Sequence, residues 1–225
     1  MCVLTNKFLH IGLFWLIHSF QSGYSITGRL LYLDTKNEHG ETPLHISSQN
    51  GNERITKLLL SHGANLSTLN AEGNTPLHLS VLYDSINTTK LLIEHGADIT
   101  IKNEDGNDPF LIAVTPELQN MDVMKLLIDN GASIDSINKD GDTALHIAIS
   151  CNNALMTKLL LDNQADLNIL NSNGDTAMHL LAKNGYSDIF ELLLNKTLTL
   201  TYKIKMEIRH FTLHAGLITS TSQFF

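Results

Sequence analysis

Four histidines stand at regular intervals in this chain, each three residues after a threonine. The pairs are Thr42 and His45, Thr75 and His78, Thr143 and His146, and Thr176 and His179. A neutral imidazole can accept a proton or ligate a transition metal, and a hydroxyl beside it can be activated as a nucleophile. The spacing argues against both uses. The pairs recur once per repeat of the surrounding sequence, so the four rings lie far apart and cannot converge on one ion. Other catalytic signatures are missing from the sequence. The two cysteines, Cys2 and Cys151, form neither a C-x-x-C pair nor a disulfide framework. No serine stands in a G-x-S-x-G elbow, and the glycines are spaced singly, not gathered into a phosphate loop. The residues therefore predict no catalytic group, no cofactor and no metal, and a chain that is not an enzyme.

What must position these pairs is a repeat. The stretch Asn70-Ala-Glu-Gly-Asn-Thr-Pro-Leu-His-Leu79 is echoed from Asn37, Asn103, Asn138 and Asn171. Its glycines, Gly40, Gly73, Gly106, Gly141 and Gly174, are separated by 33, 33, 35 and 33 residues. A fixed period of that size marks a stacked array, in which each unit buries its apolar face only against its neighbours. Within a unit, Asn opens a turn because its side chain can bond the backbone two residues on, and Gly closes it. Thr, or Asp108 in the third unit, then supplies a helix N-cap. Pro43, Pro76 and Pro109 follow at the first helical position, where the missing N–H costs nothing. The first helix is short and is predicted to end near Gly51, Asp84, Asn152 and Gly185. A second helix places Ile55, Leu58 and Leu59 on one face in unit one. Val123, Leu126 and Leu127, then Met156, Leu159 and Leu160, then Ile189, Leu192 and Leu193 repeat the pattern in units three to five. Gly63, Gly96 and Gly131, each followed by Ala, stop that helix.

These residues resemble the ankyrin repeat, whose pattern is close to D-x-x-G-x-T-P-L-H-x-A followed by a helix ending L-L-x-x-G-A-D. The resemblance runs from about Asn37 to Lys203, with TPLH present twice, at Thr42–His45 and Thr75–His78. It implies an all-α solenoid of L-shaped helix-turn-helix units, with short β-hairpin loops and a concave surface made by hairpins and first helices. The expected units are 37–69, 70–102, 103–137, 138–170 and 171–203. In that setting Thr42, His45, Thr75, His78, Thr143, His146, Thr176 and His179 are structural: they cap helices and bond to the neighbouring hairpin. His62 and His95, at the ends of second helices, complement the helix dipole.

Departures from the pattern are expected to have local consequences. Unit three has Phe110 and Leu111 in place of Leu-His, two extra residues, and Pro116, which should stop its first helix and leave a loop over about Thr115 to Met121. Gln164 replaces the helix-ending glycine of unit four, and Thr197-Leu198 replaces Gly-Ala in unit five. The head, residues 1–36, contains an apolar run from Phe8 to Phe20 that is too short to cross a bilayer. It reads as a cover for repeat one or a degenerate leading repeat; a signal segment over residues 1–23 is the alternative, which would make the protein secreted. Without a signal the chain belongs in the cytoplasm or nucleus. In the tail, residues 204–225, Ile204, Ile208 and Phe211 could share one helical face that covers unit five, near the apolar Phe190.

The net charge of −8 argues against non-specific nucleic-acid binding. The turn tips concentrate that charge, with Glu38, Glu41, Glu72, Glu104, Asp105, Asp140, Asp142 and Asp175 against the single base Lys139. Such a stripe suits a protein partner, in particular a basic segment. Ala71, Glu72, Asn74 and Asn107 are expected to face outward, and Leu82 and Tyr83 to supply the apolar anchors. A monomer that binds a protein is the function this sequence predicts. The alternatives are a secreted toxin or effector and the ankyrin part of a larger protein.

Overall fold

The computed structural model describes residues 32–115 and 120–196. The chain divides into two compact units, Met1–Asp98 and Ile99–Phe225. Each is a stack of helix pairs. The first unit contains α1 (Pro43–Gln49), α2 (Glu53–Ser61), α3 (Pro76–Leu82) and α4 (Ile86–Glu94). Here α1 packs on α2 and α3 on α4, and each helix also meets its counterpart in the next repeat, α1 on α3 and α2 on α4. The second unit contains α5 (Pro109–Ala113), α6 (Met121–Asp129), α7 (Ala144–Ser150), α8 (Ala154–Asp162), α9 (Ala177–Asn184) and a last helix, α10, over 187–196. In it α5 packs on α6, α7 on α8, and α7 on α9. Among the described residues the turns hold only one isolated bridge, between Ile137 and Thr143, and no extended strand.

Asparagine builds every turn in the same way. The Oδ1 of Asn37 accepts from the backbone N–H of His39 and of Glu41, both at 2.9 Å. Asn70, Asn103, Asn138 and Asn171 each repeat this double acceptance, two and four residues on. One side chain thus satisfies two backbone donors that a tight turn leaves free. Successive turns are then tied by a backbone bond. The Ala71 N–H donates to the His39 carbonyl at 3.0 Å in the first unit. Lys139 to Asp105 at 3.0 Å and Ser172 to Asp140 at 2.8 Å do the same in the second. Side chains before the turns add to the tie. Asp34 accepts from the Asn65 N–H and Asp135 from the Asp166 N–H, both at 2.9 Å. The Lys36 ammonium donates to the Leu69 carbonyl at 2.7 Å, and Lys102 reaches the Ile137 carbonyl likewise.

The first helices end where the sequence predicts, and for a shared backbone reason. Gly51, Asp84, Asn152 and Gly185 all adopt positive φ just beyond them. Asp and Asn tolerate this left-handed conformation better than most residues. Gln164 is forced into it at φ 66°, where units one to three have glycine. The helix-ending side chains of the second helices also share one device. His62 and His95 place Nδ1 2.8 Å from the carbonyls of Leu58 and Leu91, and the amides of Asn130 and Asn163 donate to those of Leu126 and Leu159. Each partners a carbonyl that the helix end leaves open.

Among the described residues the cores are aliphatic with one large aromatic. Leu44, Leu77, Val81 and Leu92 are buried in the first unit, and Phe110, Leu111, Met124, Leu145, Ile149 and Met156 in the second. One expected core position differs. Leu58 is 49% exposed, and the buried face of α2 is carried by Thr56 and Leu59. The Thr56 hydroxyl turns inward and donates to the Ser47 Oγ of α1 at 3.0 Å. In the next repeat Thr89 donates to Ser80 at 2.9 Å in the same place. Helix α5 is shorter than its counterparts and ends before Pro116, as expected. The loop residues 116–119, the head through residue 31, and the tail from residue 197 fall outside the described residues. The expected bulge, the expected cover or signal, and the altered pair Thr197-Leu198 lie there.

Among the described residues two buried hydroxyls, those of Ser48 and Thr88, have no hydrogen-bond partner. The Ser48 hydroxyl is fully buried and has no hydrogen-bond partner. The equivalent positions hold Val81, Val114, Ile149 and Ala182. An unpaired buried hydroxyl costs about 1–3 kcal/mol. Ser48→Ala removes it without adding volume and is expected to stabilise the first unit by about 1 kcal/mol. Urea denaturation of the two proteins side by side checks this.

Candidate protein-binding surface

Threonine and histidine set the geometry beneath this surface. The Thr42 N–H donates to the His45 Nδ1 at 3.1 Å, so that nitrogen carries no proton, and the Thr42 hydroxyl lies 2.8 Å from it. The proton therefore sits on Nε2, which donates to the Asn74 carbonyl of the next turn at 3.0 Å. One imidazole closes its own helix N-terminus and holds the neighbouring repeat. Burial keeps the His45 ring neutral by lowering its pKa, and the bond to the Asn74 carbonyl opposes that only in part. His146 is bonded in the same way, to Thr143 at 3.1 Å and to the Asp175 carbonyl at 3.1 Å. Thr75 with His78, and Thr176 with His179, show the same capping contact. In unit three, Asp108 caps the Leu111 N–H at 2.9 Å, and the histidine's place is taken by a buried leucine, Leu111. Every imidazole nominated by spacing thus sits in a helix cap. Among the described residues no three His, Cys, Asp or Glu side chains gather as a metal site requires.

Above these caps, in the first unit, lies a cleft of about 150 Å³. It is lined by His39, Glu41, Gln49, Asn70, Ala71, Glu72, Leu79, Leu82 and Tyr83. Five of these, Glu41, Ala71, Glu72, Leu82 and Tyr83, were nominated by the sequence and are brought together by two successive turns and the ends of α1 and α3. Tyr83 is 51% exposed and is the C-cap residue of α3. Glu41 accepts from the Asn37 amide at 2.9 Å, and Glu72 from the Asn74 amide at 3.0 Å, each through Oε2. Each carboxylate is thus held in place by one oxygen, and among the described residues no lysine or arginine lines the cleft.

Asn74 is a correction to the expected outward set. It is 3% exposed, because its amide turns back onto Glu72 instead of reaching solvent. Glu38, at the tip of the first turn, is exposed but does not line the cleft. His39 and Gln49 were missed. They are the repeat equivalents of Glu72 and Leu82, 33 residues earlier, so the repeat register could have nominated them. In the second unit Glu104, Asp105, Lys139 and Asp140 are exposed on turns, whereas Asn107 and Asp142 are half-buried. The Asp142 carboxylate accepts from the Asn171 amide at 2.8 Å, so part of it serves the turn.

A family model described as ankyrin repeats (3 copies) matches residues 15–103 and 110–204. The chain belongs to the ankyrin repeat family. Searched against curated proteins, it has no match. Ankyrin repeats are generally protein-interaction modules and are typically not enzymes. Among the described residues no helix is long and apolar enough to cross a membrane.

Proposed function

We propose that this ankyrin protein is a non-enzymatic binding module whose cleft in the first unit takes a basic segment of a partner protein. The observation that supports this is the pairing of two anchored carboxylates, Glu41 and Glu72, with a half-exposed aromatic ring, Tyr83, over an apolar floor at Leu79. A cationic side chain entering the cleft meets negative charge and an aromatic wall together. Leu82 and Ala71 flank the entrance and accept the aliphatic stem of such a side chain. The carboxylates are fixed before binding, so less side-chain entropy is lost on contact. The exposed acids of the second unit, Glu104, Asp105 and Asp140, raise the encounter rate with a basic partner without needing direct contact. The head is read as a degenerate leading repeat, supported by a family match that begins at residue 15, inside the apolar run.

Proximity labelling with the full chain in its native cell, followed by titration of the captured proteins, tests this reading. The Tyr83→Ala, Glu72→Lys double variant is expected to weaken binding at least about 30-fold, the factor that accompanies loss of a hot spot worth about 2 kcal/mol. Leu155→Ala, at an exposed residue of α8 outside the cleft, is expected to change nothing. Partners that bind the double variant and the unaltered protein equally would remove the cleft from consideration. Affinity that does not fall with added salt would remove its electrostatic component.

A further inference from the structure

The last helix of the described residues, α10, presents an apolar stripe to solvent. Phe190 and Leu194 stand four residues apart on it and are 39% and 44% exposed, while Ile189 and Leu193 face the core. Asp188 and Glu191 are exposed alongside. In the preceding repeats the equivalents of Phe190 are Thr157, Met124, Thr89 and Thr56, all buried. Position 190 is thus an inward position by the logic of the repeat, and here it holds a large aromatic ring open to water. A stacked array leaves such a face wherever the next unit is absent, and something must cover it.

The chain continues for residues 197–225, and it carries a complementary pattern within a short reach. Ile204, Ile208 and Phe211 recur at intervals of four and three, the spacing that lines one face of a helix. Lys205 and Arg209 are spaced four apart beside them, opposite in charge to Asp188 and Glu191. The family match ends at residue 204, where this segment begins.

We propose that segment 204–211 of this chain docks on the Phe190 and Leu194 face and closes the array. Its apolar residues cover the stripe, and its bases lie against the acids of α10. The occupant is intramolecular. Only seven residues separate Lys196 from Ile204, so the effective concentration of the segment at this face far exceeds that of any second molecule.

The test uses the full chain with Cys2 and Cys151 replaced by serine. Phe190→Cys and Ile208→Cys are introduced together and the protein is oxidised. An intrachain disulfide is expected, seen by mass spectrometry of a monomer band. In a second arm, Ile208→Asp is made in the otherwise unaltered protein, and amide exchange is followed along 187–196. Exchange there is expected to accelerate about tenfold or more, with α7 unaffected. A covalent dimer in place of the intrachain bond would mean that a second copy covers the face, and would overturn the proposal. So would unchanged exchange in α10 after Ile208→Asp. Neither arm depends on partner binding at the cleft of the first unit.

Discussion

His45→Ala is expected to destabilise the first unit by about 3 kcal/mol at neutral pH. The ring is fully buried and bonds three groups: the Thr42 N–H, the Thr42 hydroxyl and the Asn74 carbonyl. Truncation strips the Thr42 N–H of its partner inside the stack and cuts the tie to the next turn, while the Asn74 carbonyl keeps the Asn70 N–H and the Thr42 hydroxyl keeps the residue 45 N–H. A buried donor or acceptor stripped of its partner costs about 1–3 kcal/mol, and alanine also leaves a void where the ring stood. One stripped donor and the void together give about 3 kcal/mol, because the other two groups retain a backbone partner. Chemical denaturation with amide exchange over α1 and α3 measures the effect. A loss below about 1 kcal/mol would show that the imidazole does not tie the repeats together.

The same residue makes the protein acid-sensitive. Burial holds the His45 pKa below its ordinary value of 6.5 in the folded chain, whereas the unfolded chain binds the proton near that value. The unfolded state therefore binds more protons than the folded state as pH falls through 6.5, and stability falls with it. The contribution is fully present above pH 6.5 and is lost progressively down to and through the folded pKa. His45→Ala is expected to flatten that part of the pH profile, so the gap between variant and wild type narrows on acidification. Denaturation midpoints taken between pH 7 and pH 5 check the sign. A gap that stays constant over this range would show that the imidazole is not held neutral by burial.

The repeat was legible because each of its parts has a strong local cause. Asn37 through Asn171 build turns with their own side chains, Thr42 and its equivalents cap helices, and Gly51 or Asp84 end them in a conformation that few residues accept. None of these needs tertiary knowledge. The candidate surface was legible only in part. Glu72 and Tyr83 follow from turn and helix-end positions, but the orientation of Asn74 depends on a neighbour. Its amide found a carboxylate two residues away, and spacing alone does not reveal which polar side chain will turn inward. Leu58 differs from its repeat equivalent: it is half-exposed on α2, whereas Leu91 is buried on α4 beside the same threonine-to-serine bond, and apolar spacing does not separate the two. His39 and Gln49 join the cleft only because two turns and two helix ends meet there. That convergence belongs to packing, although the repeat register does mark the two positions, since Glu72 and Leu82 stand 33 residues after them.

The second large effect comes from a turn glycine and carries its own control. Gly106→Ala is expected to destabilise the second unit by about 3 kcal/mol, and Gly174→Ala by only about 1 kcal/mol. Both glycines have the same backbone, at φ +75° and +76°, so both substitutions carry the left-handed penalty of an L-residue. They differ in what an added methyl meets. At Gly106 a Cβ would lie 2.7 Å from the Lys139 nitrogen and 3.1 Å from the Asn138 carbonyl carbon, both backbone atoms of the next turn. Backbone cannot rotate aside as a side-chain tip can, so the two turns must separate. That separation stretches the bond from the Lys139 N–H to the Asp105 carbonyl, now 3.0 Å, which joins them. At Gly174 nothing lies within 4 Å of the added carbon. The difference between the two variants therefore isolates the close approach of successive turns from the conformational preference of glycine. Urea denaturation gives the two costs, and amide exchange at Lys139 locates the damage. Equal costs would mean that the turn contact contributes little and that backbone conformation alone demands glycine at this position.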